Sequence, residues 1–217
     1  MKGLVIFDCD GVLTEDDSSW QLLHKYFGSS DSHVAELYKK NIISYLDWMK
    51  IDIILMIKSW GRPIARRLVE EILSKTKIRP ESYAVFKMLK QYDFIVGIIS
   101  SGIDILVKRI CRDVGADICL YNELLFINDE LVPGGKSWVP LLEKPYIVNS
   151  IARSLGIGME RVAYVGDSEW DEEVFKVVGL PIAMNTCSNC FNARSYVNNL
   201  WEVVDIVKEH FSNLNLT

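Results

Sequence analysis

Leu4-Val5-Ile6-Phe7-Asp8-Cys9-Asp10-Gly11-Val12-Leu13-Thr14 is the stretch that decides the fold. Four apolar residues run directly into two aspartates spaced one apart, then a glycine and a second short apolar run. A continuous apolar run of this length, closed by a turn signal, predicts a strand buried on both faces. Such strands lie at the centre of open parallel sheets, where ligands bind just beyond the carboxyl ends. Asp8 and Asp10 leave the strand at that edge. Two like charges about 4 Å apart at an effective dielectric of about 20 repel by roughly 4 kcal/mol. A positive partner is therefore expected, and hard oxygen donors point to magnesium. Alternation turns Cys9 away from both acids, as a small core residue.

The rest of the chain falls into two textures. From Glu15 to Arg79 no strand is visible and helices dominate. Ser18 or Ser19 caps a helix from Trp20 to Phe27, ended by Gly28. A second helix is expected from Asp31 to Lys40. Ser44-Tyr45-Leu46-Asp47 resembles a capping box for a third, which runs to Ser59 and is broken by Gly61. Pro63 is expected in the first turn of a fourth, reaching Leu73. From Pro80 onward strands alternate with helices, which means a parallel sheet with right-handed crossovers. The strands are expected at Phe94–Ile99, Asp117–Tyr121, Val162–Val165 and Leu180–Met184, with a hairpin of Glu123–Ile127 and Glu130–Val132 about Asn128-Asp129. Helices are expected at Pro80–Lys90, Ile103–Val114, Lys144–Leu155, Asp171–Val178 and Leu200–His210. The fold class is α/β: a Rossmann-like core of residues 1–14 and 79–217, and a small all-helical cap of residues 15–78 inserted after the first strand.

Composition narrows the function. The chain has 217 residues and a net charge of −5, which argues against nucleic acid as the main partner. The first apolar run is too short for a signal peptide and is broken by Asp8. No run approaches the roughly 20 residues of a membrane span. The expected setting is cytoplasmic. Five cysteines at irregular spacings do not form a secreted disulfide framework. Cys187 and Cys190 form one Cys-x-x-Cys pair with no second pair to complete a zinc site, so they are expected as two thiols in a loop.

Three strands end in polar residues: Asp8 and Asp10, Ser100 with Ser101, and Asp167. If these strands are parallel neighbours, their ends converge on one crevice. Pro145 favours the first helical position, so Lys144 sits at a helix start, where free N–H groups already attract anions. Lys136 is the rival basic residue, in a loop after Gly134-Gly135. Asp171, four residues after Asp167, can reach the same metal.

Asp8-x-Asp10-Gly-Val, Ser100, Lys144 and Gly166-Asp167-Ser168-x-x-Asp171 resemble, in order, the four motifs of the haloacid dehalogenase superfamily. The helical insertion and the hairpin before Lys144 are similar to its phosphoserine phosphatase-like branch. That resemblance implies a phosphatase using magnesium and an aspartyl-phosphate intermediate. Asp8 would be the nucleophile and Asp10 the general acid and base. Asp8, Asp167 and the Asp10 backbone carbonyl would hold the metal, with Asp171 fixing its water shell. Ser100, Ser101 and Lys144 would grip the phosphoryl group. The substrate would be a small phosphomonoester, and the enzyme a monomer or homodimer.

Departures from the branch put its amino-acid substrate in question. Asp17, beside Glu15 and Asp16, matches the acid that binds the substrate amine. The position of the arginine that grips the substrate carboxylate falls at or near Asp52, and Tyr45 to Lys58 contains no arginine. Tyr45, Trp48, Met49, Ile53, Met56 and Trp60 share one side of the third helix, either as a buried stripe of the cap or as a wall facing the substrate. His24, His33 and His210 have no partner spacing and are expected as surface or cap residues. The alternatives are a true phosphoserine phosphatase, a mutase-like phosphoryl-transfer enzyme and a non-catalytic phospho-aspartate regulator.

Overall fold

The structure, a computed structural model, describes residues 2–15, 18–184, 187 and 189–214. Strand β1 (Gly3–Phe7) is wholly buried, as its apolar run requires. It is the central strand of a seven-stranded sheet. Its neighbours are β2 (Phe94–Ile103) on one side and β5 (Val162–Gly166) on the other. Outward from β2 lie β3 (Ile118–Ile127) and β4 (Glu130–Lys136). Outward from β5 lie β6 (Leu180–Met184) and β7 (Ser195–Val197). Every pairing is parallel except the β3–β4 hairpin. Phe7 pairs with Ile98 and with Val165, so Asp8, Ser100 and Asp167 all emerge at the same edge.

Helices α1 (Ser19–Phe27), α2 (Val34–Lys39), α3 (Tyr45–Trp60) and α4 (Arg66–Ser74) follow β1 with no intervening strand among the described residues. Ser18 caps α1 by accepting from the Gln21 amide, and Gly28 ends it in the left-handed conformation at φ 69°. The Ser44–Asp47 capping box starts α3, and Gly61 ends it at φ 73°. These signals were legible because they are local. Side chains from this layer, including Leu23, Met49 and Ile53, join the same apolar core as Val5, Phe7 and Phe86 beneath the sheet edge.

The remaining helices are α5 (Glu81–Gln91), α6 (Asp104–Val114), α7 (Lys144–Ser154), α8 (Glu172–Phe175) and α9 (Leu200–Leu214). No helix among the described residues is long and apolar enough to cross a membrane.

Several expectations are corrected. Pro63 is not in the first turn of α4. Ile64 and Ala65 are drawn into extended contact with the hairpin tip: the Leu131 amide donates to Ile64 and the Arg66 amide to Asp129, at 2.8 and 2.7 Å. Helix α2 begins three residues late, at Val34. Asp117–Tyr121 and Glu123–Ile127 merge into one long strand. Cys187 and Cys190 are joined by a disulfide, as are Cys111 and Cys119. His24 lies in α1, within the helical insertion as one of its two expected settings, but it is buried and has a neighbour in Asp52 at 3.3 Å that its spacing did not announce.

Candidate active site

The turn after β1 is built to expose two carboxylates. The Leu13 and Thr14 amides donate to the Cys9 carbonyl, and the Gly11 amide donates to Thr14 Oγ1. Gly11 has φ 72°, and a Cβ there would lie 1.9 Å from Asp167 Oδ2. Only glycine fits both demands. Cys9 is buried in the core, as alternation requires.

Asp8 is 7% exposed and rests on the buried ammonium of Lys144, the first residue of α7. Lys144 also donates to Asp171 Oδ1 at 2.8 Å. Burial pushes the Asp8 carboxyl up, while Lys144 draws it back down and Asp171 adds to the rise. Burial alone would lower the Lys144 ammonium, but Asp171 and Asp8 hold its pKa well above the ordinary value. The site therefore keeps this lysine charged. Lys136 lies at the end of β4, opposite Glu123 in the hairpin, exposed and 3.6 Å from that residue.

Asp10 stands on the cavity side. Its Oδ2 accepts from the Ser19 amide at 2.8 Å and from the Ser19 hydroxyl at 2.7 Å, while its Oδ1 is buried without a hydrogen bond. Burial raises its carboxyl to about 6, against the lowering effect of Ser19. Such a group holds or releases a proton near neutrality, which is what acid–base work requires.

Asp171 is 0% exposed, and both its oxygens are occupied by protein donors. Oδ1 takes Lys144 and the Tyr164 hydroxyl, each at 2.8 Å. Oδ2 takes the amides of Asp167 and Ser168 at 3.1 and 3.2 Å. Burial would raise this carboxyl, but Lys144 and these bonds bring it below its ordinary value. Asp171 thus fixes Lys144 and the Asp167 turn; its bonds run to those groups and not outward to the cavity.

Ser100 is buried, and its Oγ accepts from the Gly102 amide at 3.1 Å. Ser101 lines the cavity, but its hydroxyl donates to the Val139 carbonyl at 2.7 Å, so its side chain braces the loop. Its carbonyl accepts from Trp20 Nε1, Tyr45 OH and Asn122 Nδ2 at 3.2, 3.1 and 3.0 Å. Two of those donors belong to the helical layer above the sheet, which ties that layer to the site.

Asp8, Asp167 and Asp171 each offer an oxygen within 4.8 Å of the others. Asp167 is pushed up to about 9, by burial first and then by Asp171 and Asp8. A carboxylate so disfavoured next to two others calls for a cation beyond Lys144. An all-oxygen donor set fits a hard divalent ion.

The acids open into a cavity of about 760 Å³ between the sheet edge and the helices. Asp52 lies in its far wall, 3% exposed, as does Asp31. Asp17 falls outside the described residues. Tyr45 and Trp48 line the cavity, whereas Met49, Ile53 and Met56 on the same helix face are core, so the stripe on α3 divides between the two roles. Sequence reasoning missed Ser19, Asn122 and Tyr164. Their partners lie 9, 21 and 7 residues away in the chain, and nothing in their local spacing announces those bonds.

The chain is 28% identical over 186 residues to a phosphoserine phosphatase of Archaeoglobus fulgidus, covering 85% of this chain and 53% of that one. It is 26% identical over 184 residues to a phosphoserine phosphatase of Methanocaldococcus jannaschii, covering 84% and 85%. The chain thus spans about half the length of the first of these relatives. A substrate-bound phosphoserine phosphatase structure superposes with a TM-score of 0.78 at 22% identity, covering 95% of this chain and 98% of that one, which shows the shared fold. The family model for haloacid dehalogenase-like hydrolases matches residues 3–179, and the chain belongs to that family.

Proposed function

We propose that this protein is a magnesium-dependent phosphomonoesterase of a small phosphorylated metabolite, acting in the cytoplasm through an aspartyl-phosphate on Asp8. The observation that carries this reading is the pairing at the cavity floor. Asp8 lies on a lysine whose ammonium form Asp171 and Asp8 favour, beside an Asp10 whose carboxyl burial raises to about 6.

Asp8 Oδ attacks phosphorus and the bond to the leaving oxygen breaks, with Asp10 giving its proton to that oxygen. Asp10 then takes a proton from the water that attacks the aspartyl-phosphate. The bond between phosphorus and Asp8 breaks, and inorganic phosphate leaves. Lys144 neutralises charge on the transferring group, and Ser100 with the neighbouring amides positions it. Magnesium, held by Asp8, Asp167 and the Asp10 carbonyl, would further offset that charge. The helices of residues 15–78 serve as the cap that keeps bulk water out. The names of the archaeal relatives favour a second reading, in which the substrate is L-phosphoserine itself. The test is phosphate release from a generic aryl phosphate. Hydrolysis that needs magnesium and is abolished by Asp8→Asn is expected; full activity in chelator, or in that variant, would refute the assignment.

A further inference from the structure

The cap side of the cavity has a chemistry that phosphoryl transfer does not use. Asp31 and Asp52 are both buried there, 7% and 3% exposed, and both line the cavity. Asp31 is held in place by Gln21 Nε2 at 2.9 Å and Trp48 Nε1 at 3.1 Å. Asp52 instead faces His24. Its Oδ1 lies 3.3 Å from His24 Nε2, yet neither atom makes a hydrogen bond of proper geometry. The other His24 nitrogen is 2.8 Å from Ser29 Oγ.

Two buried carboxylates here share one imidazole and no lysine or arginine is in contact with either among the described residues, and buried charge without full compensation is costly. Among the described residues, the one lysine or arginine lining the cavity is Lys39. It is already paired with Glu169 at 2.7 Å and lies over the Trp170 ring. Between this cap cluster and the phosphoryl site the wall is aromatic. Tyr45, Trp48 and Trp170 all line the cavity, with ring centroids of Tyr45–Trp48 and Trp48–Trp170 5.8 and 5.9 Å apart. Aromatic faces with nearby carboxylates form the environment that receives alkylammonium groups. A substrate carboxylate would meet Asp31 and Asp52 with no free cation to receive it.

We infer that the cap wall is a receptor for an ammonium group, so that the favoured substrate is a phosphomonoester whose alcohol carries an ammonium and no carboxylate. The aromatic rings surround the alkyl substituents of the nitrogen. Asp52 and Asp31, both lining the cavity, supply the counter-charge. This inference rests on the phosphomonoesterase reading and names the substrate class for it.

The test compares kcat/KM for three esters on the whole protein with magnesium: 2-(trimethylammonio)ethyl phosphate, its uncharged carbon isostere 3,3-dimethylbutyl phosphate, and L-phosphoserine. An aryl phosphate serves as reference. The ammonium ester is expected to exceed its isostere and L-phosphoserine by at least about tenfold each. Asp52→Asn and Trp48→Leu should each bring the ammonium-to-isostere ratio toward one. That ratio is taken within one protein, so a loss of folded enzyme cancels. A ratio near one in the unaltered protein, or a preference for L-phosphoserine, overturns the inference while aryl phosphate hydrolysis preserves the phosphatase reading. Absence of aryl phosphate hydrolysis overturns both.

Discussion

Lys144 Nζ donates to Asp171 at 2.8 Å, with both side chains at most 1% exposed. The same ammonium holds Asp8, so one lysine carries two buried carboxylates. Removing one member of a buried ionic group leaves charge uncompensated and typically costs about 3–5 kcal/mol.

Lys144→Ala should therefore lower stability by about that amount in urea titration, and lower kcat/KM by at least about 100-fold. Lys136→Ala, at an exposed pair with Glu123, should change stability by less than about 1 kcal/mol and leave turnover near the starting value. An inactive Lys136 variant beside an active Lys144 variant would reverse the assignment.

Asp10→Asn should separate substrates by leaving group. Its carboxyl, held near 6 by burial, is suited to give a proton to a poor leaving oxygen. Alkyl phosphates should lose about 100-fold or more in turnover, and aryl phosphates, whose oxygen hardly needs that proton, much less. Equal losses across leaving groups would remove Asp10 from the acid role.

Much of this site was legible before any coordinates. Asp8, Asp10, Ser100 and Asp167 are marked by position, because each ends an apolar strand and parallel topology carries those ends to one edge. Lys144 is marked by Pro145, a local signal for a helix start. The caps of α1 and α3 are likewise local. What stayed hidden depends on distant partners. Strand β7 is three residues long and exists through pairing with β6. Pro63 was misplaced because the hairpin tip, more than 60 residues on, captures Ile64 and Ala65. His24 and Asp52 meet across two helices, and Cys111 meets Cys119 across a helix–strand turn, neither of which spacing alone predicts. The bonds from the Asp171 oxygens to Lys144, Tyr164 and two amides are likewise hidden, because its spacing from Asp167 points only to a shared metal.

Asp52 should reveal itself in stability as a function of pH. Burial lifts its carboxyl from 3.8 to about 6, so between these values the folded state holds a proton that the unfolded chain has released. Stability from this group is thus fully present below about pH 4 and is lost as pH rises through about 6. Asp52→Asn stays neutral throughout. It should be more stable than the unaltered protein at pH 8, by up to about 3 kcal/mol, and the advantage should shrink toward pH 4. Thermal or urea midpoints across that range check this, and a pH-independent difference would contradict it. A residue that lowers stability at neutral pH while lining the cavity fits a trade of stability for recognition.

The central claim is that Asp8 itself becomes phosphorylated. The most direct measurement is acid quench of Asp10→Asn protein turning over an aryl phosphate with magnesium, followed by peptide mass spectrometry. Slowed proton removal from water should let the intermediate accumulate. A phosphoryl adduct on the peptide that contains Asp8, absent after chelation, is the predicted result. Continued phosphate release with no adduct, or an adduct on another residue, would contradict the account.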